Sequence, residues 1–155
     1  MSGKACDPGR IMREVFQLAR YWEGILDAGL RDAEITAKQL FLLSLLERQF
    51  EGSSPASAIA EAMLTSHQNI MQMARALERR GFVTVTPDPG DRRARLITLT
   101  ETHVAFWSAR GEEDRHALDA IFDGIPAETW QTFQYLLEAI VPHAAQRYRE
   151  RHPGN

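Results

Sequence analysis

Four residues spaced three and four positions apart, Gln68, Gln72, Arg75 and Arg79, would stand along one side of a helix. A glutamine amide places a donor beside an acceptor and matches the major-groove edge of adenine, while a guanidinium matches guanine or a phosphate. Such a row has the chemistry to read base edges; taken alone, a polar stripe is more commonly an ordinary solvated helix face. Ser66, His67 and Asn69 extend the polar surface at its start, and a second cationic group, Arg92, Arg93 and Arg95, follows Asp91 in a turn. From Ser66 to Arg95 six arginines face three carboxylates, so this window is +3 in a chain whose formal net charge is −3. A basic surface on an acidic body suits a polyanionic partner that must be held without loss of solubility.

The segments that would position these groups follow from their patterning. Residues 81–100, GFVTVTPDPGDRRARLITLT, contain two period-two stretches: Val83 and Val85 alternate with Thr84 and Thr86, and Ile97 and Leu99 with Leu96 and Thr98. Pro87, Asp88, Pro89 and Gly90 between them form a turn, giving a hairpin with an arginine-bearing tip. Ahead of it, Thr65 and Gln68 have capping-box spacing, so a helix is expected from there to Arg80 with Gly81 as terminator. Its inward face would be Ile70, Met73, Ala74 and Leu77.

Residues 10–28 carry Ile11, Val15, Leu18, Trp22, Ile25 and Leu26 as the stripe of a helix with one buried face, and Gly29 is placed to end it. Thr36 and Gln39 repeat the capping box before a helix apolar nearly all round to Leu46, and so central. Residues 51–55 read as a loop, with Pro55 opening a short helix through Ile59 to Met63. A long helix is expected from Thr100 or Glu101 to about Phe122, broken at residues 123–126. A last helix runs from about Ala127 towards Arg149, with Trp130, Phe133, Leu136, Leu137, Ile140 and Val141 as its stripe and Pro142 expected to kink or divide it. The order of helix, strand, basic tip and strand suggests a winged helix-turn-helix. The wide apolar surfaces at both ends of the chain suit a subunit interface or ordinary core packing.

Length of 155 residues with 44% hydrophobic and 25% charged residues fits one globular domain. No apolar run approaches the ~20 residues of a membrane span, and MSGKACDPGR lacks the apolar stretch of a secretory signal, so a cytoplasmic chain without membrane association is expected. The single cysteine, Cys6, excludes an intramolecular disulfide; with only Lys4 nearby it is a thiol sensor or an incidental residue. No phosphate-binding glycine loop, nucleophile elbow or carboxylate pair is present, so neither an enzyme nor a cofactor is expected. Glu112 and Glu113 precede His116 at helical spacing and could join His103 around a metal ion, although charged residues on a solvated helix are the commoner arrangement, and no metal site is expected.

Over nearly its whole length the chain resembles the MarR family of bacterial transcriptional regulators. Asp91-Arg92-Arg93 running into Leu96, Leu99-Thr100 and Glu101 is similar to that family's wing signature, and Leu77-Glu78-Arg79-Arg80-Gly81-Phe82-Val83 to the end of its recognition helix. The chain departs from the pattern at His103, Val104 and Ala105, where many members carry glycine. The resemblance implies a mainly α fold with a small β-hairpin wing: about residues 30–100 as the DNA-binding lobe, with about 10–29 and 101–150 as dimerisation helices within a single domain 1–155. It implies a homodimeric repressor on palindromic double-stranded DNA, with Ser66, His67, Gln68, Asn69, Gln72 and Arg75 at the major groove and Arg79 on the same face. Arg93 would enter the minor groove, oriented by Asp91, and Arg92 and Arg95 would meet phosphates. It also implies a small aromatic effector, for which Trp22, Phe41 and Phe106 are the candidate contacts. A winged helix used to bind protein, or a metal- or thiol-sensing variant of the regulator, is the alternative.

Overall fold

The computed structural model describes residues 7–91 and 93–152, with the backbone alone for 112–120. Among the described residues nine elements follow in order: α1 (Pro8–Gly29), α2 (Ala37–Arg48), β1 (Ser53–Pro55), α3 (Ala56–Ala62), α4 (His67–Arg79), β2 (Val83–Pro87), β3 (Arg95–Leu99), α5 (Glu101–Phe122) and α6 (Ala127–Arg151). The chain gathers into two compact units, the first reaching Ala117 and the second beginning at Leu118. This mainly helical fold with a small antiparallel sheet is the expected winged-helix class.

In the first unit α2 is central, touching α1, α3, α4, β1 and β3. That position requires an apolar surface on nearly every side, and Leu42, Leu43 and Leu46 are completely buried. Full burial of each such side chain favours folding by about 1.5–3 kcal/mol. Its start is fixed as the spacing predicts: the Thr36 hydroxyl accepts the Gln39 N–H at 3.2 Å and the Gln39 amide oxygen accepts the Thr36 N–H at 2.9 Å. A carboxylate oxygen of Asp27 on α1 also accepts the Ala37 N–H at 2.5 Å, tying the two helices together. Ile59, Ile70, Leu77, Val83 and Ile97 close the same core.

The sheet has the order β1-β3-β2, all antiparallel. Val83 pairs with Leu99 and Val85 with Ile97, so the expected hairpin forms in a register that turns Val83 and Ile97 into the core. Residues 51–55, expected as loop, instead contain β1, whose Ser54 pairs with Ile97. Ser-Ser-Pro has no strand propensity of its own; β3 imposes the conformation, helped by a hydroxyl-to-hydroxyl bond of 2.7 Å between Ser53 and Thr98. Pro55 is tolerated because β1 is an edge strand.

Helix α1 forms over the expected span but buries no residue completely, contrary to the buried face its stripe predicts. Leu18, Trp22 and Leu26 are half-buried, whereas Ile11, Val15 and Phe16 remain about half or more exposed, at 49%, 53% and 66%. Gly29 is its last residue, but the cap falls on Leu30 with negative φ, so no left-handed glycine ends it.

In the second unit Gly124, at φ +75°, makes the turn before α6. The Trp130 ring packs edge-on against Phe122 and Phe133, with centroids 4.4 and 5.9 Å away, and its indole N–H donates to the Phe122 carbonyl at 3.2 Å. Pro142 lies inside α6 and does not divide it. No residue of α6 is buried; Leu136, Leu137, Ile140 and Val141 of its stripe are exposed. Among the described residues no helix is long and apolar enough to cross a membrane.

Candidate nucleic-acid interface

Helix α4 begins one residue later than its capping-box spacing predicts. Ser66 is the N-cap, its hydroxyl accepting the Asn69 N–H at 3.2 Å, while the Thr65 hydroxyl accepts from the Asn69 side-chain amide at 3.1 Å. The shift arises because the Thr65 N–H is already committed backwards to the Ala60 carbonyl at 3.0 Å, so Thr65 still belongs to the end of α3. Helix α4 then separates its two faces sharply. Ile70, Ala74 and Leu77 are completely buried and Met73 half-buried, whereas Ser66, His67, Gln68, Asn69, Gln72, Arg75 and Arg79 are all exposed. The helix stops as expected, with Gly81 in the left-handed region at φ +77° and its N–H bonded to the Glu78 carbonyl at 2.9 Å.

The wing is fastened to this helix. The Glu78 carboxylate accepts the Val85 N–H of β2 at 2.9 Å, and the Thr100 hydroxyl donates to the Gly81 carbonyl at 2.5 Å. Nothing in sequence marks Glu78 for this role: its partner is a backbone group seven residues on, visible only once strand and helix are docked. The bond also covers an otherwise free N–H on the sheet edge.

At the wing tip both aspartates fold back onto the backbone. Asp88 accepts the Gly90 N–H at 2.7 Å and Asp91 the Arg93 N–H at 2.9 Å, and the Ala94 N–H closes the turn onto the Asp91 carbonyl at 2.8 Å. Asp91 thus sets the course of the chain at Arg93, through the main chain and not through the guanidinium. Arg93 and Arg95 are exposed; Arg92 lies outside the described residues.

The arginines of the basic window divide by partner. Arg80 donates to the Glu34 carboxylate at 2.6 Å and to the Ala33 carbonyl at 3.1 Å, which turns its charge back onto the lobe. No carboxylate pairs with Arg75, Arg79, Arg93 or Arg95 among the described residues. Arg75 and Arg79 share the exposed face of α4 with the amides of Gln68 and Gln72, and Arg93 and Arg95 stand on the wing; such unneutralised guanidiniums and amides are able to hold phosphates and read base edges.

The candidate effector contacts lie in different settings. Phe106 packs edge-on against Phe82 and Trp107, with centroids 4.9 and 5.1 Å away, and the Arg110 guanidinium lies 5.3 Å from its centre. Arg110 also pairs with Asp32 at 2.5 Å, tying α5 to the segment after α1. Trp22 is half-buried on α1, and Phe41 is exposed on α2. His103, a candidate metal ligand by sequence, is enclosed: it is 3% exposed, its Nδ1 accepts the Trp107 indole N–H at 3.1 Å, and its Nε2 has no partner. Burial holds the imidazole below its usual range, against the smaller opposing pull of Glu47. The side chains of Glu112, Glu113 and His116, like Cys6, lie outside the described residues. Among the described residues no three ligating groups converge as a metal site would require.

Residues 33–94, from the segment before α2 to the tip of the wing, match the family model of the MarR family. The transcriptional activatory protein BadR of Rhodopseudomonas palustris is 28% identical over 109 residues, a match covering 68% of this chain and 62% of that protein's length. The HTH-type transcriptional repressor NicR of Pseudomonas putida is 25% identical over 133 residues, covering 86% of this chain and 81% of that protein. A mutant MarR from E. coli, solved complexed with operator DNA, superimposes with a TM-score of 0.72 at 19% identity, covering 86% of this chain and 94% of that one. At that identity the likeness shows the fold. The family match falls on the lobe that carries the exposed polar row and the wing, and over that lobe the chain is similar to the MarR family.

Proposed function

We propose that the chain is a sequence-specific transcriptional regulator that binds palindromic double-stranded DNA as a homodimer and acts as a repressor relieved by a small aromatic effector. The observation that carries this reading is the row Gln68, Gln72, Arg75 and Arg79, exposed and free of carboxylates, on a helix bonded through Glu78 to a wing whose tip presents Arg93. Ser66, His67, Gln68, Asn69, Gln72 and Arg75 enter the major groove, and Arg79, Arg92 and Arg95 meet phosphates. Asp91 holds the turn that delivers Arg93 to the minor groove, where narrow A·T-rich DNA concentrates negative potential.

Dimerisation is supported by the helices at the two ends of the chain. Neither α1 nor α6 buries a residue, although both carry apolar stripes, and a second copy is the partner that an isologous interface supplies. Half-sites then lie ~10 base pairs apart, one helical turn. The repressor reading follows NicR, which matches more of this chain than the activator BadR does. An effector held against Trp22, Phe41 and Phe106 releases DNA only by binding one spacing of the two lobes better than the other.

The test compares wild type, Arg93→Ala and Gln72→Ala on a duplex selected for binding. Arg93→Ala should weaken binding by ~1–3 kcal/mol, and Gln72→Ala should change the preferred half-site. Unchanged affinity in Arg93→Ala removes the wing from recognition; no duplex affinity in wild type favours a winged helix that binds protein.

A further inference from the structure

Three non-glycine residues have left-handed backbone among the described residues: Glu34 at φ +51°, Glu51 at +51° and Leu64 at +50°. Glu34 uses the position to reach Arg80. Glu51 is a charged residue in the turn before Gly52. Leu64 has neither explanation. It sits where α3 ends in two backbone bonds, Leu64 N–H to the Glu61 carbonyl at 3.1 Å and Thr65 N–H to the Ala60 carbonyl at 3.0 Å. In this two-bond ending the left-handed position ordinarily belongs to glycine, since any β-carbon there is crowded by the neighbouring carbonyl.

The leucine does not recover that cost by burial. It is 62% exposed, more than any other large apolar residue between α2 and β3, while Met63 before it packs against the core. It stands two residues before Ser66, the N-cap of α4, and so at the end of that helix from which base contacts are made. Backbone strain that the fold itself does not need points to function. An isobutyl group cannot read a donor or acceptor; the one base-edge feature it can recognise is the C5-methyl of thymine.

We propose that Leu64 is a specificity-determining residue whose side chain packs on a thymine methyl at the edge of the major groove. It thereby selects a base that no polar residue of α4 reads. This rests on the DNA-binding function proposed for the lobe and adds an apolar contact to it.

The test uses the full chain and a selected duplex in which each thymine of one half-site is replaced in turn by deoxyuridine, which removes only the methyl. At one position wild type should bind about fourfold more weakly, the effect of one buried methyl-sized group. Leu64→Gly should bind the thymine duplex about 5- to 30-fold more weakly, lose the distinction between thymine and uracil at that position, and keep or raise its Tm, by about 2–4 °C. The DNA-side substitution needs no variant to fold, so insensitivity of wild type at every position overturns the proposal. It is also overturned if Leu64→Gly retains the same discrimination, or loses affinity equally for both duplexes, which would mark a sugar contact. If no duplex is selected at all, the DNA-binding reading falls and this inference with it.

Discussion

Helices α4 and α6 both carry apolar stripes at helical spacing, yet they end in opposite states. Ile70, Ala74 and Leu77 of α4 are completely covered by the lobe, whereas Leu136, Ile140 and Val141 of α6 are 47%, 57% and 57% exposed. The contrast separates a helix whose stripe is covered within its own unit from one whose stripe is left exposed. Periodicity says that a face must be covered; it does not say by what. In the proposed regulator α4 is held rigid so that its polar face can meet DNA, and α6, like α1, is completed by a second copy.

The contrast can be broken from either side. Leu77→Ala should destabilise the lobe by about 2–5 kcal/mol in chemical unfolding, since a completely buried leucine leaves a cavity; a change under about 1 kcal/mol would mean that α4 is not held by this core. Leu136→Asp with Ile140→Asp should leave the lobe's own melting intact and convert a sedimenting dimer to monomer, with operator affinity falling about 10²-fold or more as two linked contacts become one. A variant that stayed dimeric would move the interface elsewhere. Ser66→Ala removes the cap at the start of α4 and should cost about 1 kcal/mol of lobe stability, with no change in assembly.

The smallest effect concerns His103, buried near the start of α5. Burial lowers its folded-state pKa below the ordinary 6.5, so the unfolded chain takes up a proton at a pH where the folded lobe does not. Its contribution is complete above about pH 6.5 and is lost as pH falls through the lower folded-state value. Thermal unfolding of wild type between about pH 7.5 and 5.5 should therefore show a downward slope that His103→Gln reduces; equal slopes would remove the residue from the pH response.

Local signals were legible in sequence where the local chain decides the structure. The Thr36–Gln39 capping box, the left-handed Gly81 and the alternation of Val83 and Val85 all stand as read, because each needs only its near neighbours. Strand β1 was illegible because Ser-Ser-Pro becomes a strand only against β3. The cap of α4 falls one residue beyond its sequence signal because the Thr65 N–H is claimed by the preceding helix. At the site, the exposed row of α4 followed from periodicity, but the separation of Arg80 from the unpaired arginines depends on Glu34, far away in sequence. The same holds for the hydrogen bond from Val85 to Glu78 and for the exposure of Leu64 in a strained turn.

Selection of bound sequences from random duplex DNA, repeated at two salt concentrations, tests the central claim most directly. The expected result is a palindrome with half-sites ~10 base pairs apart and an affinity that falls steeply with salt, as when several arginines displace counterions from phosphates. Recovery of no motif at either salt would contradict it and assign the exposed face of α4 to some other partner.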